Sequence, residues 1–324
     1  MSIFAMSGIF IVGSPRSGTT LLQSMLAAHS MFYTSPELSF FDRIIPRLGV
    51  EYYDPSHIVC KDDLNLIANI IQDRVGISAE HVLQCSSGLT IKQVFHNLIE
   101  GYNTNSKPIW VEKTPNHARF MLAIQRFYPN AKFIHIIRDP VDSVASMNHI
   151  KPTSIFDNRV SYLSAFYNYA KIWNKCIESA YTYSPQENVL HIRYENLVIS
   201  NSRELQKICD FLNVGFEEEM LERFTDSAGT IFNDEYTPWQ SSNRKSGLNA
   251  MAVHKWRRKL TAAQVWIIQN YTNDWACRLG YYNQVSCMDH KKILVLLNEW
   301  VKRLLNKTGM ERKVRKIIIK WIMS

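Results

Sequence analysis

The sequence predicts an α/β fold of three layers, α/β/α, with a central parallel sheet that is covered by helices on both faces. Three observations predict it. Apolar runs of strand length alternate along the chain with longer segments of helical periodicity. The first apolar run ends in a glycine-rich loop that leads directly into a helical segment. The 324 residues are 46% hydrophobic and 20% charged, an ordinary globular composition, and they contain no apolar stretch near the roughly 20 residues that span a bilayer.

The predicted strands are short apolar segments, which is how parallel strands buried on both faces read in a sequence. They cover residues 8–13 (GIFIVG), 108–113 (PIWVEK), 131–138 (AKFIHIIR) and 188–195 (NVLHIRYE). The predicted helices cover residues 19–29, 61–75, 91–100, 115–129, about 158–180, 202–213 and 261–279. Proline opens the helix at 115, where its missing N–H costs nothing. Residues 226–250 are polar and contain glycine, so we predict a long loop there.

Residues 13–20, GSPRSGTT, nearly match the phosphate-binding P-loop pattern G-x-x-x-x-G-K-[ST]. Both glycines are correctly spaced and Thr20 supplies the hydroxyl, but Thr19 stands where the lysine belongs. Backbone N–H groups of such a loop form an anion cradle with the N-terminus of the next helix. Arg16 has the planar geometry to bind two oxygens of a phosphate or sulfate. The predicted fold is therefore P-loop nucleotide-hydrolase-like.

The missing lysine argues against a P-loop enzyme that uses ATP, which needs that lysine, a magnesium ion and an acidic residue on a neighbouring strand. Here the later strands end in VEK, IIR and IRYE, and two of the three carry a base at or near the end. This favours a ligand neutralised by side chains rather than by a metal. The ten histidines show no metal-binding spacing, so no metal is predicted. A P-loop kinase and a non-catalytic nucleotide-binding module remain alternatives.

Residues 136–147, IIRDPVDSVASM, form a second candidate motif. Arg138 ends a predicted strand, and Ser146 follows eight residues later, across the predicted turn DPVD and inside the next helix. Such an arginine and serine are able to bind a second anion away from the glycine loop. The alternative is a salt-bridged arginine with a surface serine, and this motif alone does not separate the two.

Together, PRSGTT and RDPVDSVAS resemble the sulfotransferases that use 3′-phosphoadenylyl sulfate (PAPS). The resemblance covers residues 8 to about 260. It implies PAPS as sulfuryl donor, adenosine 3′,5′-bisphosphate (PAP) as product and no metal. In this family the first motif binds the 5′-phosphosulfate, and an arginine and a serine spaced as here bind the 3′-phosphate. The implied donor-binding residues are Pro15, Arg16, Ser17, Gly18, Thr19, Thr20, Arg138 and Ser146.

Three further residues are candidates for donor binding. Tyr194 is a candidate adenine contact in the segment RYENLV, with a buried core position as the equal alternative. Ser246 and Lys255 lie in or near the late polar loop, which is expected to close over the nucleotide.

Glu37 is the candidate catalytic base. The resemblance is closest to the tyrosylprotein sulfotransferases and to the heparan-type glycan sulfotransferases. In the first group a catalytic glutamate follows the loop arginine by the separation of Glu37 from Arg16; in the second it precedes an FFD stretch, as in PELSFFD. EKTP is similar to a glycan-enzyme motif whose lysine assists catalysis, which assigns Lys113. Cytosolic small-molecule sulfotransferases instead use a histidine near a lysine; we favour Glu37 over His117.

The expected reaction is in-line displacement onto an acceptor hydroxyl, with Glu37 as base and with Lys113 and Arg16 on the leaving-group oxygens. The tyrosylprotein pattern places arginines just after its glutamate, where this chain has Ser39 and Phe41. We therefore expect a glycan or glycolipid acceptor, with peptide tyrosine as the alternative.

The chain is expected to comprise a sulfotransferase domain, residues 1–285, and a basic amphipathic helical tail, residues 286–324. Residues 291–324 carry ten bases and two acids, which is the whole formal net charge of +8. Their apolar residues share helical faces, a pattern typical of a helix on an anionic membrane surface. A helix docked on the body is the alternative. Nucleic acid is not an expected partner, because the tail interleaves leucine and isoleucine instead of stacking aromatics. A homodimer is left open.

Two further features favour a cytoplasmic location, with peripheral membrane contact through the tail. The six cysteines are widely spaced and contain no C-x-x-C. The first residues lack the charged region and cleavage site of a secretory signal.

Overall fold

A computed structural model of the chain describes residues 8–75, 88–147, 160–183, 186–224, 256 and 260–282. The chain divides into two compact units, Met1–Tyr281 and Tyr282–Ser324. Beyond Tyr282, the second unit lies outside the described residues, as do the predicted loop 226–250 and the predicted tail. The domain boundary after residue 285 and the amphipathic helix of residues 291–324 therefore stay predictions.

Five parallel strands form the central sheet of the described residues, in the order β2-β3-β1-β4-β5. They are β1 (Ile9–Gly13), β2 (Phe32–Thr34), β3 (Ile109–Lys113), β4 (Lys132–Ile137) and β5 (Val189–Arg193). The register places Ile11 opposite Lys113 and Gly13 opposite Ile136. Because all strands are parallel, their carboxyl ends meet at one edge. In the sheet, β1 has β3 on one side and β4 on the other, so the connections between strands change direction at β1. The loop after β1 therefore lies at the position where open α/β sheets bind ligands.

Helices connect the strands. They are α1 (Thr19–Ala28), α2 (Ile45–Leu48), α3 (Lys61–Val75), α4 (Ile91–Glu100), α5 (Met121–Phe127), α6 (Pro140–Met147), α7 (Val160–Thr182), α8 (Tyr194–Ile199), α9 (Asn201–Leu212), α10 (Glu219–Glu222) and α11 (Ala262–Arg278). Thr90 and Thr261 cap α4 and α11 with reciprocal capping boxes. Of the helices that the structure describes, none has the length and apolarity needed to cross a bilayer.

Two hydrophobic clusters lie on opposite faces of the sheet, because side chains alternate along each strand. Phe10, Trp110 and Phe133 pack against α3, α4, α5 and α7. Ile11 and Ile134 pack on the other face against α1, α8, α9 and α10. The predicted three-layer α/β/α fold with a parallel central sheet is confirmed.

Two local predictions were wrong, and one strand was missed. The single helix predicted over 115–129 is a 3-10 turn, Pro115–Arg119, followed by α5, with a break at Phe120, where the N–H donates to His117 O at 2.8 Å. The segment DPVD is not a turn: α6 begins at its proline, and the Asp139 carboxylate caps it by accepting the Val141 N–H at 2.7 Å. Strand β2 has only three residues, too few to show a period, and was missed.

Candidate functional site

The carboxyl edge of the sheet collects the predicted site residues. The glycine loop follows β1, Lys113 ends β3, Arg138 follows β4 and Tyr194 follows β5. Glu37 follows β2, the strand next to β3. Parallel strand order therefore gathers at one edge residues that are widely separated in the sequence.

The glycine loop has a backbone conformation that its sequence explains. Gly18 has φ 101°, in the left-handed region that favours glycine, and it precedes α1. A Cβ at this position would lie 2.2 Å from Cδ2 of Tyr194, so the aromatic ring closes directly onto the loop. Arg16, which is not a glycine, also has a positive φ of 67°. Such strain persists only where surrounding contacts impose it, and it is typical of ligand-binding loops.

Those contacts come from the second motif. Arg138 Nη1 donates to the carbonyl of Arg16 at 3.1 Å, and Arg16 Nε donates to Ser146 Oγ at 3.2 Å. The Arg138 guanidinium lies over the ring of Tyr194, 4.3 Å from its centroid. The two predicted anion-binding motifs are therefore joined by direct hydrogen bonds.

The electrostatics of this network suit an anion. Burial lowers the pKa of Arg16, and the neighbouring positive charge of Arg138 lowers it further, while Glu37 acts in the opposite direction. Ser17 Oγ is buried and has no hydrogen-bond partner within the described part of the chain. Two adjacent guanidinium groups and an unused buried hydroxyl fit a ligand that carries phosphate or sulfate oxygens.

Glu37 and Lys113 form a second unit beside the loop. Lys113 Nζ donates to Glu37 Oε2 at 3.0 Å. The lysine side chain is fully buried, whereas the glutamate side chain is 30% exposed. The carboxylate is thus open to an incoming molecule and the cation lies behind it.

His117, the alternative base, is fully buried. Its Nδ1 lies 3.0 Å from Glu112 Oε2, and its Nε2 accepts the N–H of Phe41 at 3.2 Å. Both ring nitrogens are occupied within the fold, which supports Glu37 as the base. Sequence reasoning missed Glu112; its signal is the alternation along β3, which places it and Lys113 on opposite faces of the sheet.

Tyr194 is only 8% exposed and lies against Gly18 and Arg138, which is the buried position named as the alternative; its contact with adenine stays a prediction. Trp256 donates its backbone N–H to Asp142 Oδ1 at 3.2 Å. Ser246 and Lys255 lie outside the described residues, and their roles stay predictions. Within the ranges that the structure describes, no cluster of histidine, cysteine and acidic side chains is placed to hold a metal ion.

Comparison with known proteins identifies the family. The family model described as "Sulfotransferase family" matches residues 8–218. The chain belongs to the sulfotransferase family. The match spans the glycine loop, Glu37, Lys113, the Arg138 motif and Tyr194. It confirms the predicted enzyme class over the P-loop kinase and the non-catalytic module.

Curated relatives of this sulfotransferase carry similar names. It is 25% identical over 256 residues to a putative protein-tyrosine sulfotransferase of Caenorhabditis briggsae, covering 76% of this chain and 80% of that protein. It is 27% identical to protein-tyrosine sulfotransferase 1 of Danio rerio, covering 78% and 66%, and 29% identical to protein-tyrosine sulfotransferase 2 of Gallus gallus, covering 66% and 53%. The chain thus spans about half to four fifths of these relatives.

Solved structures agree on the fold. The sulfotransferase domain from the curacin biosynthetic pathway is 24% identical with a TM-score of 0.56, covering 85% of this chain and 98% of that domain. The sulfotransferase domain of the Synechococcus PCC 7002 olefin synthase is 24% identical with a TM-score of 0.54, covering 83% and 94%.

Proposed function

We propose that this chain transfers a sulfuryl group from PAPS to an acceptor hydroxyl by in-line displacement. One observation carries the proposal: the bonded pair Arg16 and Arg138 lies beside the bonded pair Glu37 and Lys113 at one edge of the sheet. The first pair suits an anionic donor. The second supplies a carboxylate and a cation where an acceptor hydroxyl and a leaving phosphate would meet.

The donor-binding roles follow from the contacts. Backbone N–H groups of the loop, with Ser17, Thr19 and Thr20, would hold the phosphosulfate at the N-terminus of α1. Arg138 and Ser146 would hold the 3′-phosphate. Their hydrogen bonds to Arg16 would fix the position of this phosphate site relative to the glycine loop. The donor, when bound, supplies a sulfuryl group on a phosphate leaving group.

Glu37 would take the proton of the acceptor hydroxyl, and a positioned base contributes roughly 10²–10⁴-fold. The ion pair couples this step to the leaving group. While Glu37 is ionised, its charge offsets that of Lys113. Once Glu37 is protonated, its charge no longer offsets that of Lys113, and the buried cation would stabilise negative charge on the leaving phosphate. Arg16 would act on the same oxygens.

The names of the relatives support the phenolic hydroxyl of peptide tyrosine as acceptor. The chemistry agrees, since a phenol with pKa about 10 loses its proton to a carboxylate more readily than a sugar hydroxyl does. This reverses the order expected from Ser39 and Phe41, which follow Glu37 where the tyrosylprotein pattern has arginines. A glycan or glycolipid hydroxyl is retained as the second candidate on that observation.

The test is transfer of label from PAPS labelled in its sulfuryl group to a panel of tyrosine peptides, oligosaccharides and glycolipids. We expect labelled peptide with the wild type, no labelled product with Glu37→Gln, and equal PAP affinity for both by calorimetry. An exposed-site control, Lys61→Met at the start of α3, should retain activity. A Glu37→Gln enzyme with wild-type turnover would refute the base, and consumption of ATP instead of PAPS would refute the donor.

A further inference from the structure

A buried carboxylate adjoins the site without belonging to it. Glu112 precedes Lys113 on β3 and is fully buried. A buried carboxylate requires hydrogen-bond donors. Thr114 Oγ1 donates to Glu112 Oε1 at 2.6 Å, and His117 Nδ1 lies 3.0 Å from Glu112 Oε2.

Both partners of Glu112 also form hydrogen bonds with the backbone of the segment after Glu37. Thr114 Oγ1 accepts the N–H of Ser39, and His117 Nε2 accepts the N–H of Phe41, each at 3.2 Å. The Thr114 hydroxyl accepts the N–H of Ser39 through its oxygen and donates its single hydrogen to Glu112. In the neutral imidazole, which accepts at Nε2, the proton lies on Nδ1 and is donated to Glu112. Burial lowers the pKa of His117, but the carboxylates of Glu112 and Asp42 outweigh it and raise the pKa, and the imidazolium would donate from Nδ1 to Glu112 as well. Glu112 thus fixes both the hydroxyl rotor and the histidine tautomer.

The segment that these bonds hold is short and strained. Ser39 has φ 53° and ψ 37°, the left-handed region, which is unfavourable for a residue with a side chain. On the other side of Glu37, Gln23 Nε2 donates to the carbonyl of Ser35 at 2.7 Å. Glu37 lies midway between Ser35 and Ser39, so its backbone is held from α1 on one side and from Thr114, the residue after β3, on the other.

We propose that Glu112, acting through Thr114 and His117, is a positioning residue that sets the location of the Glu37 carboxylate. The inference rests on the proposed function, in which Glu37 is the base. Misplacement of a reacting group by about 1 Å costs on the order of 10²-fold in rate. Loss of the network should therefore lower turnover without changing donor binding, which depends on other residues.

A matched pair at Thr114 tests the relay. Thr114→Val keeps the shape but removes the acceptor for Ser39, whereas Thr114→Ser keeps the hydroxyl. Glu112→Gln keeps the shape but presents an NH₂ group to one of two donors. We expect kcat to fall roughly 10–100-fold in Thr114→Val and Glu112→Gln, with KM for PAPS and PAP affinity unchanged, and Thr114→Ser to restore most of kcat.

Amide hydrogen exchange provides a readout that needs no acceptor. The amides of Ser39 and Phe41 should exchange faster in Glu112→Gln and Thr114→Val. The control is Tyr33→Phe, which removes a different side-chain hydrogen bond, from the buried Tyr33 to the exposed Glu100 at 2.5 Å, and should leave these two amides unchanged.

Two results would overturn the inference. One is wild-type kcat in Thr114→Val and Glu112→Gln despite faster exchange, because the network would then serve the fold alone. The other is an equal loss of kcat in Thr114→Ser and Thr114→Val. If Glu112→Gln does not fold, the Thr114 pair carries the test. Full activity of Glu37→Gln in the same series would instead refute the proposed function, so the two failures are distinguishable.

Discussion

Lys113 and Glu37 form one ion pair of 3.0 Å although 76 positions separate them in the sequence. The pair forms because β2 and β3 are adjacent and parallel, with Thr34 opposite Val111. The residue that ends β3 thereby faces the segment that leaves β2. The carboxylate and the cation are therefore a single unit, and a change in either should alter the other.

Replacement of Lys113 by an uncharged residue should strongly lower turnover and leave the fold intact. In Lys113→Met the buried stem is replaced by an apolar side chain of similar length, and the leaving phosphate loses its stabilising charge. We expect kcat to fall roughly 10²–10³-fold, the loss typical of one electrostatic group at a transition state. The measurement is single-turnover transfer from PAPS, with Lys61→Met as control. More than half of wild-type activity in Lys113→Met would contradict the assignment.

Replacement of Arg138 should weaken donor binding more than turnover. Arg138→Lys keeps the charge but loses the planar contact with Tyr194 and the paired donors that bind phosphate. We expect PAP affinity to fall about 10–100-fold, the effect of losing one or two charge-assisted hydrogen bonds. Calorimetry measures it. Arg278→Lys, an exposed arginine stacked on Trp275, is the matched control and should bind PAP normally.

A methyl group at Gly18 should damage the loop directly. Gly18→Ala places a Cβ 2.2 Å from the Tyr194 ring at a φ of 101°. We expect a loss of about 1–3 kcal/mol in the free energy of unfolding and a PAP affinity at least 10-fold weaker. Gly215→Ala is the control, since nothing lies within 4 Å of its added Cβ. Equal stability of the two variants in urea would show that the close approach is wrong.

A buried histidine and a half-buried one should make the fold sensitive to mild acid. His135 and His191 lie opposite each other on β4 and β5, with their Nδ1 atoms 2.9 Å apart. Burial lowers the pKa of His191 to about 4, and burial together with the neighbouring imidazole lowers that of His135 well below its usual value. The unfolded chain therefore binds protons at a higher pH than the folded one. The stability that these groups contribute is present above about pH 6.5 and is lost as pH falls towards 4.

Comparison with His191→Gln isolates this contribution. Between pH 7.5 and 5 the wild type should lose roughly 2 kcal/mol more unfolding free energy than the variant, by linkage from the His191 pKa. Asp139, whose pKa burial raises to about 6, acts in the opposite direction in both proteins and cancels in the difference. Urea denaturation at the two pH values measures it. The same loss in both proteins would show that His191 is not the cause.

Local patterns in the sequence were sufficient for much of the architecture. The apolar run 8–13 and the helical period from residue 19 onward predicted β1 and α1, because strand and helix periods are visible within one element. Strand β2 was beyond this reasoning, since three residues show no period. The break at Phe120 was also missed, because the contacts that fix His117 come from Glu112 and Phe41 in other elements.

The sequence by itself determined the three-layer class, the glycine loop and the family, since each depends on residue types at fixed spacing. Only the tertiary structure decided that Arg138 bonds to Arg16, that Lys113 pairs with Glu37 and that Thr114 bonds to both Glu112 and the amide of Ser39. The reason is the order of the strands. Which carboxyl ends become neighbours depends on how the whole sheet packs, and no local pattern in the chain encodes that order.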